Sequence, residues 1–406
     1  MTDERLEDLL RSLAPQVLAA LLRRYGANQF DICEDAVQEA LIAAVQQWPA
    51  SGRPVDPRAW LVTAARRRLI DQIRSESSRR ERERTQALLN EPLADPPLTD
   101  ADDSVQLLQL CCHPALTTSA QITLTLRAVA GLTTAQIAHA YLLPEPTVAQ
   151  RISRAKARIR QEGAVFPAPV GADDRLEAVL AVVYVMFSEG HTVSTGDTIN
   201  DVDLTDEAIR LARMLVAALP ASGEAAGLFA LLLLTDARRP ARTTGTGRLV
   251  PLDEQDRSLW NRELIDEGVA ILERSLPGRP AGPYALQAAI AAVHDEAPSS
   301  EATDWPQILV LYRLLERQTI NPVVTLNAAV AEAMVLGPAA GLAAIDRLVR
   351  SGRPVDSQRV SSVRAHLLER DGRLPEAIDE FRTAARGTRS TPERDYLNAR
   401  ARRLGG

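Results

Sequence analysis

Three cysteines in 406 residues (Cys33, Cys111 and Cys112) cannot staple a chain of this length, which excludes a disulfide scaffold and fits a reducing compartment. Aromatics make up only 4%, and β-branched runs alternating with polar residues are scarce, so an all-β fold is excluded. Long apolar runs are missing as well. The longest, Ala178–Phe187 and Gly227–Leu234, reach about half of the roughly 18 residues that span a bilayer. The amino terminus, Met-Thr-Asp-Glu-Arg-Leu-Glu, lacks the basic-then-apolar order of a secretory leader. A cytoplasmic protein without membrane contact is expected.

Marks of catalysis are equally thin. His113, His139, His191, His294 and His366 are scattered, with no HExxH pair. Cys111-Cys-His113 has no second Cys/His pair at zinc-finger spacing, and Thr244-Gly-Thr-Gly-Arg248 lacks the P-loop pattern and reads as a turn. Glu189-Gly-His191 has no identifiable acid–base partner. No metal, no cofactor and no enzyme activity are expected.

What the chain does have is alanine, leucine and arginine, which favour helix, with 25 prolines and 21 glycines as punctuation. At 46% hydrophobic and 25% charged it is of globular composition, and its length predicts two or three domains of an all-α protein. The break-rich stretches Asn90–Asp103 and Phe166–Ala172 place boundaries at 1–85, an acidic linker over 86–103, 104–162 and 173–406. Within the last segment Gly337 and Gly372 lie 35 residues apart, as do Val330 and Ala365, and Leu342 and Ala377. Tyr312 and Phe381 read as ends of comparable helices. That rhythm points to stacked helical hairpins of the tetratricopeptide type.

The net charge of −6 is unevenly spread. Positions 1–165 hold 20 basic and 20 acidic residues, and 166–406 hold 27 and 33. Arg58–Arg84 carries nine arginines against four acids, and Pro146–Gln161 carries five basic residues and no acid. Two basic segments on a neutral unit point to a polyanion-binding surface. Lys156 is the only lysine, and the arginine bias reads as a GC-rich genome without mechanistic weight.

In the second basic segment Val148, Ile152, Ala155 and Ile159 form one apolar stripe at helical spacing. Thr147, Arg151, Arg154 and Arg158 share another face, with Gln150 and Ser153 outward. The short helical run Thr133–Tyr141 and the turn Leu143–Pro146 precede it, which makes a helix-turn-helix. A solvated charged helix on a bundle is the plain alternative. In the first segment Val62, Ala65, Leu69 and Ile73 lie on one side, and Trp60, Thr63, Arg67, Asp71 and Arg74 on the other. Arginines beside an aromatic, after the loop Pro49–Pro57, suit a single strand with an unstacked base, although Trp60 itself reads as core. A helix over Asp35–Ile42 puts Val37, Leu41, Ala44 and Trp48 inside and presents Asp35, Gln38, Glu39 and Ile42 as a docking face.

These residues resemble the extracytoplasmic-function sigma factors of bacterial RNA polymerase. Glu34-Asp-Ala-Val-Gln-Glu39 and Trp60-Leu-Val-Thr-Ala-Ala-Arg-Arg-Arg-Leu-Ile-Asp71 resemble sigma region two, and Pro146-Thr-Val-Ala-Gln-Arg-Ile-Ser-Arg-Ala-Lys156 resembles region four. The remainder resembles a subgroup with a tetratricopeptide-like extension, through Tyr184–Gly190, Asp236–Arg242, Asp256–Trp260 and Gly282–Gln287. The resemblance implies that Asp35, Gln38, Glu39 and Ile42 bind the clamp helices of the largest subunit of core RNA polymerase. The loop around Arg53–Asp56 would take a flipped base of the minus-ten element, and Arg66, Arg67, Arg68 and Arg74 the melting strand. Gln150, Ser153 and Arg154 would read duplex promoter DNA at the minus-thirty-five element, with Thr147, Arg151 and Arg158 on phosphates. Ala149 and Gln150 depart from the residues many relatives carry there, so the preferred sequence does not transfer. The extension would regulate the protein through intramolecular contact with the sigma domains. Arg238, Arg239 and Arg242 are either a regulatory contact or a corner ion-paired with Asp253, Glu254 or Asp256. The rivals are a stand-alone helix-turn-helix regulator with a helical-repeat sensor, and a peptide-binding scaffold whose basic helices are merely solvated.

Overall fold

The computed structural model describes residues 3–77, 103–141, 143–167, 175–193, 204–244, 248–278, 280–353, 355–388 and 390–405. Among these residues the regular structure is helical, apart from one isolated antiparallel bridge between Thr243 and Leu249. The fold is all-α. The chain divides into two compact units: residues 1–190 with 198–218, and residues 191–197 with 219–406.

The first unit opens with three mutually packed helices, α1 (Asp3–Tyr25), α2 (Phe30–Ser51) and α3 (Pro57–Ser77). Phe30, Val37, Ala44 and Trp48 of α2 are buried, as the periodicity requires, and Leu41 is half-buried. α2 runs through Pro49 to Ser51 instead of stopping at Trp48. A proline in the last turn forfeits only one hydrogen bond where the ladder is ending, and Gly52, at φ 83°, donates its N–H to the Trp48 carbonyl. In α3 the stripe is Leu61, Ala65 and Leu69, all fully buried, while Val62 and Ile73 are half-buried. The Trp60 ring meets Trp48 edge to face, centroids 5.4 Å apart, and this seat sets the helix so that Leu61 heads its inner face.

The expected acidic linker lies outside the described residues except for Asp103, and so do the basic residues of the first segment beyond Ser77. Asp103 is buried and ion-paired with Arg23 of α1. Helices α4 (Ser104–Cys111), α5 (Thr118–Ala128), α6 (Thr134–Ala140) and α7 (Glu145–Gln161) follow, with α7 packed on α5 and α6. Thr117 caps α5 by accepting from the Ala120 N–H, and Pro146 stands in the first turn of α7, where no N–H is needed. Two helices downstream of residue 173, α8 (Arg175–Val193) and α9 (Leu204–Ala218), also group with this unit, and α9 packs on α4.

The second unit contains α10 (Gly223–Asp236), α11 (Arg262–Ser275), α12 (Pro283–Glu296), α13 (Trp305–Gln318), α14 (Pro322–Leu336), α15 (Pro338–Arg350), α16 (Ser357–Arg370), α17 (Leu374–Gly387) and α18 (Thr391–Leu404). Each packs against the next. Their starts are written locally: Asp304, Asn321 and Ser390 cap by accepting backbone N–H groups, and a proline follows in the first turn each time. Gly337 and Gly372 are the turns between α14 and α15 and between α16 and α17, at φ 96° and 77°, so the 35-residue spacing marks equivalent hairpin corners. Tyr312 and Phe381 do not end helices. Both sit mid-helix, because an aromatic anchors best where packing surrounds it, and Phe381 is fully buried among α14–α18.

Candidate nucleic-acid interface

Helix α7 has three faces. Val148, Ile152, Ala155 and Ile159 are buried, which fixes the helix on α5 and α6. Thr147, Gln150, Ser153 and Arg154 are exposed, and Arg151 is half-buried. Arg158 is exposed and forms an i,i+4 ion pair with Glu162 at 2.7 Å. An array of hydroxyl, amide and guanidinium groups on one rigid helix face can donate to phosphates and base edges.

The third face of α7 turns toward α2. Lys156 Nζ pairs with Glu34 and lies 3.2 Å from Asp31, while Arg160 reaches the other Asp31 oxygen at 2.5 Å. Glu34, only 5% exposed, also accepts from Arg127 Nε of α5 at 2.5 Å, and Arg127 donates again to the Leu132 carbonyl. This network joins α2, α5 and α7, and no local pattern announced it.

On α2, Asp35, Glu39 and Ile42 are exposed and Gln38 is half-buried, so the four occupy one surface one to two turns long. Ile42 is 56% exposed, and Val45, one turn on, is 49% exposed and extends the apolar part of this face. The i+3 spacing from Ile42 was the available signal for Val45. Loss of solvent, then the neighbouring Glu34 carboxylate, raises the Asp35 carboxyl above its usual range. Glu39 pairs with Arg68 of α3 at 3.4 Å.

The basic face of α3 is only partly open. Arg67 and Arg68 are exposed and Arg66 is half-buried, while the side chain of Arg74 lies outside what is described. Arg53 is exposed in the preceding loop. Asp56 caps α3, its carboxylate accepting the Ala59 N–H at 2.9 Å, which fixes where loop becomes helix.

Cys33, Cys111 and Cys112 are free thiols in the core; burial pushes Cys33 and Cys112 up to about 12 and raises Cys111. His113 Nδ1 accepts the Ala115 N–H. These groups act as packing, and no three metal-ligating side chains come together among the described residues.

Residues 9–79 match sigma-70 region 2, and residues 175–276 match a family of unknown function, DUF6596. Over 98% of its length the chain is 40% identical to an uncharacterized protein of Rhizobium meliloti (strain 1021), covering 95% of that protein. The amino-terminal part of the chain belongs to the sigma-70 region 2 family. The alignment with the Rhizobium protein runs through both matched segments of this chain. No solved structure matches it. The region 2 match covers most of α1 and all of α2 and α3, so the exposed α2 face and the α3 arginines lie within a sigma-70 region 2. A sigma-70 region 2 supports a role in transcription initiation. No helix among the described residues is long and apolar enough to cross a membrane.

The extension carries the remaining arginines. Arg238 Nε pairs with the buried Asp295 at 2.5 Å, and Arg238 Nη2 donates to the Ala291 carbonyl. Arg239 pairs with Asp236 at 2.6 Å. Arg242 is half-buried, and burial lowers its guanidinium, with Asp236 opposing. Arg238 is thus held by Asp295 and Arg239 by Asp236, while Glu254 serves Arg400 and Asp256 caps the turn before Trp260. Arg238 and Arg257 stack on Trp260 at 5.5 and 4.7 Å, which ties the Asp236–Arg242 and Asp256–Trp260 segments into one corner.

Proposed function

We propose that the protein is a promoter-specificity subunit of the extracytoplasmic-function type, which binds core RNA polymerase and directs initiation at a two-element promoter. The observation that carries this reading is the exposed α2 face of Asp35, Gln38, Glu39 and Ile42, in a helix whose opposite side is committed to the core. Polymerase clamp helices would take that face, with Val45 extending it. Arg53, Arg66, Arg67, Arg68 and Arg74 would hold the opened minus-ten strand, and Thr147, Gln150, Arg151, Ser153, Arg154 and Arg158 would engage duplex DNA at the minus-thirty-five element. The protein does no covalent chemistry, and it acts in the cytoplasm. Its tetratricopeptide-like extension regulates the sigma helices. Arg238 and Arg239, held by Asp295 and Asp236, support that role as scaffold more than as a contact surface.

Run-off transcription with purified core polymerase and a library of GC-rich upstream regions tests this. Promoter-specific transcripts that require the protein, and that Ile42→Glu abolishes while helicity is unchanged, are the expected result. Tight duplex binding without polymerase, and no transcript with it, would favour the stand-alone regulator. To assign the extension's sign, a cut after Ala218 follows the division between units; a cut near residue 165 would strip α8 and α9 from the first unit.

A further inference from the structure

We infer that the exposed face of α13 pairs with the same face of a second copy of the chain, the two helices running antiparallel about a two-fold axis near Val310. Helix α13 (Trp305–Gln318) is apolar nearly all round: Ile308–Tyr312 is an unbroken apolar run, and Leu314 and Leu315 follow. A surface helix needs only one apolar stripe, so this sequence suits a helix covered on both sides. One side is accounted for. Ile308 and Leu315 are buried in a core built with α12 and α14. On the other side Val310 is 60% exposed and Leu314, one turn on, is 40% exposed; Ile320, just past the helix, is exposed as well. Helix α17 shows the contrast, since its exposed positions include Glu376, Asp379, Arg382 and Arg386, an ordinary solvated face.

Charge decides what covers α13. The strip is acidic at its start, with Glu301 and Asp304, and basic toward its end, with Arg313 and Arg317, and all four are exposed. Asp304 stands six positions before Val310, and Arg317 seven after it. Neither Asp304 nor Arg317 takes part in an ion pair among the described residues, whereas Arg313 is already held by Glu316 and Glu332. A polyanion would meet the acidic end and a polycation the basic end, so neither suits this face. An antiparallel copy does. Val310 meets Val310, the basic end of each helix comes beside the acidic end of the other, and the two helix dipoles oppose. Such a contact uses one patch on both copies, so it closes at two and does not grow into fibres. The paired strip is about 21 Å long, for 14 residues, and about 10 Å wide. That is well short of the roughly 800 Å² per partner of a standard interface, so the dimer is weak and reversible, with a micromolar dissociation constant.

Sedimentation velocity of the full chain between about 1 and about 200 μM is expected to show one monomer–dimer equilibrium. Val310→Glu, at an exposed site, should raise the dissociation constant by about tenfold or more with helicity unchanged. Leu314→Gln takes its place if circular dichroism shows that Val310→Glu unfolds. A short bis-maleimide reads the geometry, because Val310 lies on the proposed axis and the native cysteines are buried. Val310→Cys should give a covalent dimer about tenfold faster than Thr383→Cys, an exposed control on α17. A chain that stays monomeric over the whole range overturns the inference, and so does a dimer that folded Val310→Glu or Leu314→Gln leaves intact. A monomeric chain in which Val310→Cys resists maleimide overturns it too, and gives the face to another part of the same chain. None of these measurements needs polymerase or DNA, so they judge the contact apart from the sigma reading.

Discussion

Trp48 and Trp60 meet edge to face across the α2–α3 seam, with ring centroids 5.4 Å apart and planes inclined at 69°. The contact joins the helix that carries the exposed Asp35–Ile42 face to the helix that carries the arginines. Trp60 is half-buried, so Trp60→Ala removes both ring contact and packing at the lower end of the cost for a large aromatic, about 3 kcal/mol. Denaturant unfolding of the full chain should show that loss, with Trp60→Phe recovering more than half. An unchanged midpoint for Trp60→Ala would mean the seam is held elsewhere.

The corner between α14 and α15 offers a cleaner test of backbone against packing. Gly337 sits at φ 96° with open space where a Cβ would go, so Gly337→Ala should cost about 1–3 kcal/mol through conformation alone. Gly341 is different: a Cβ there would lie 2.5 Å from the Ala333 Cβ and 2.7 Å from the Ala329 carbonyl, which would force α14 and α15 apart. Thermal unfolding should rank Gly341→Ala as at least as damaging. It should also broaden the transition, because the hairpins stack in series.

His294 and Asp295 titrate in opposite senses. Burial first, then Arg238 and Arg257, push His294 down to about 4, and burial pushes Asp295 up to about 6 against the pull of Arg238. Between 6.5 and 4 the unfolded chain takes up the histidine proton first, so His294 costs stability as pH falls. Between 3.8 and 6 the native state keeps a proton on Asp295 that the unfolded chain has lost, so Asp295 costs stability as pH rises. Denaturation of the full chain across pH 4–6.5 checks both. Asp295→Asn should gain on the parent protein as pH rises, and His294→Gln as pH falls. Parallel profiles would contradict the assignment.

Arg154 projects from the open face of α7. As a base-edge or phosphate contact of the holoenzyme, its replacement by alanine should weaken promoter binding by about 1–3 kcal/mol. A phosphate role would also lower the salt slope of log affinity by about 1, whereas a base-reading role would leave the slope and relax the preference at one position. Fluorescence anisotropy at three salt concentrations separates the two.

Local pattern determined much of this protein. The stripe Val148, Ile152, Ala155 and Ile159 is buried residue for residue, and the exposed set Asp35, Glu39 and Ile42 lies where the wheel puts it. Capping residues, prolines and the Gly337/Gly372 spacing marked the helix starts and corners. All of these depend on interactions within one or two turns, so the sequence carries them directly. In the α3 stripe Ala65 and Leu69 are buried as expected, but Leu61 and not Val62 heads it, because the start of the helix is set where the Trp60 ring finds Trp48, and that lies on another helix.

Tertiary structure alone decided which charges meet. Arg238 finds Asp295 57 positions downstream instead of the acids near 253–256, and Lys156 finds Glu34 across 122 positions. A lone lysine among 47 basic residues looked like base composition, yet it closes the contact between α2 and α7. Sequence shows that a helix has a charged face; which opposite charge meets it depends on the angle and depth at which helices dock. That docking is set by the shapes of side chains far apart in the chain, which periodicity does not encode.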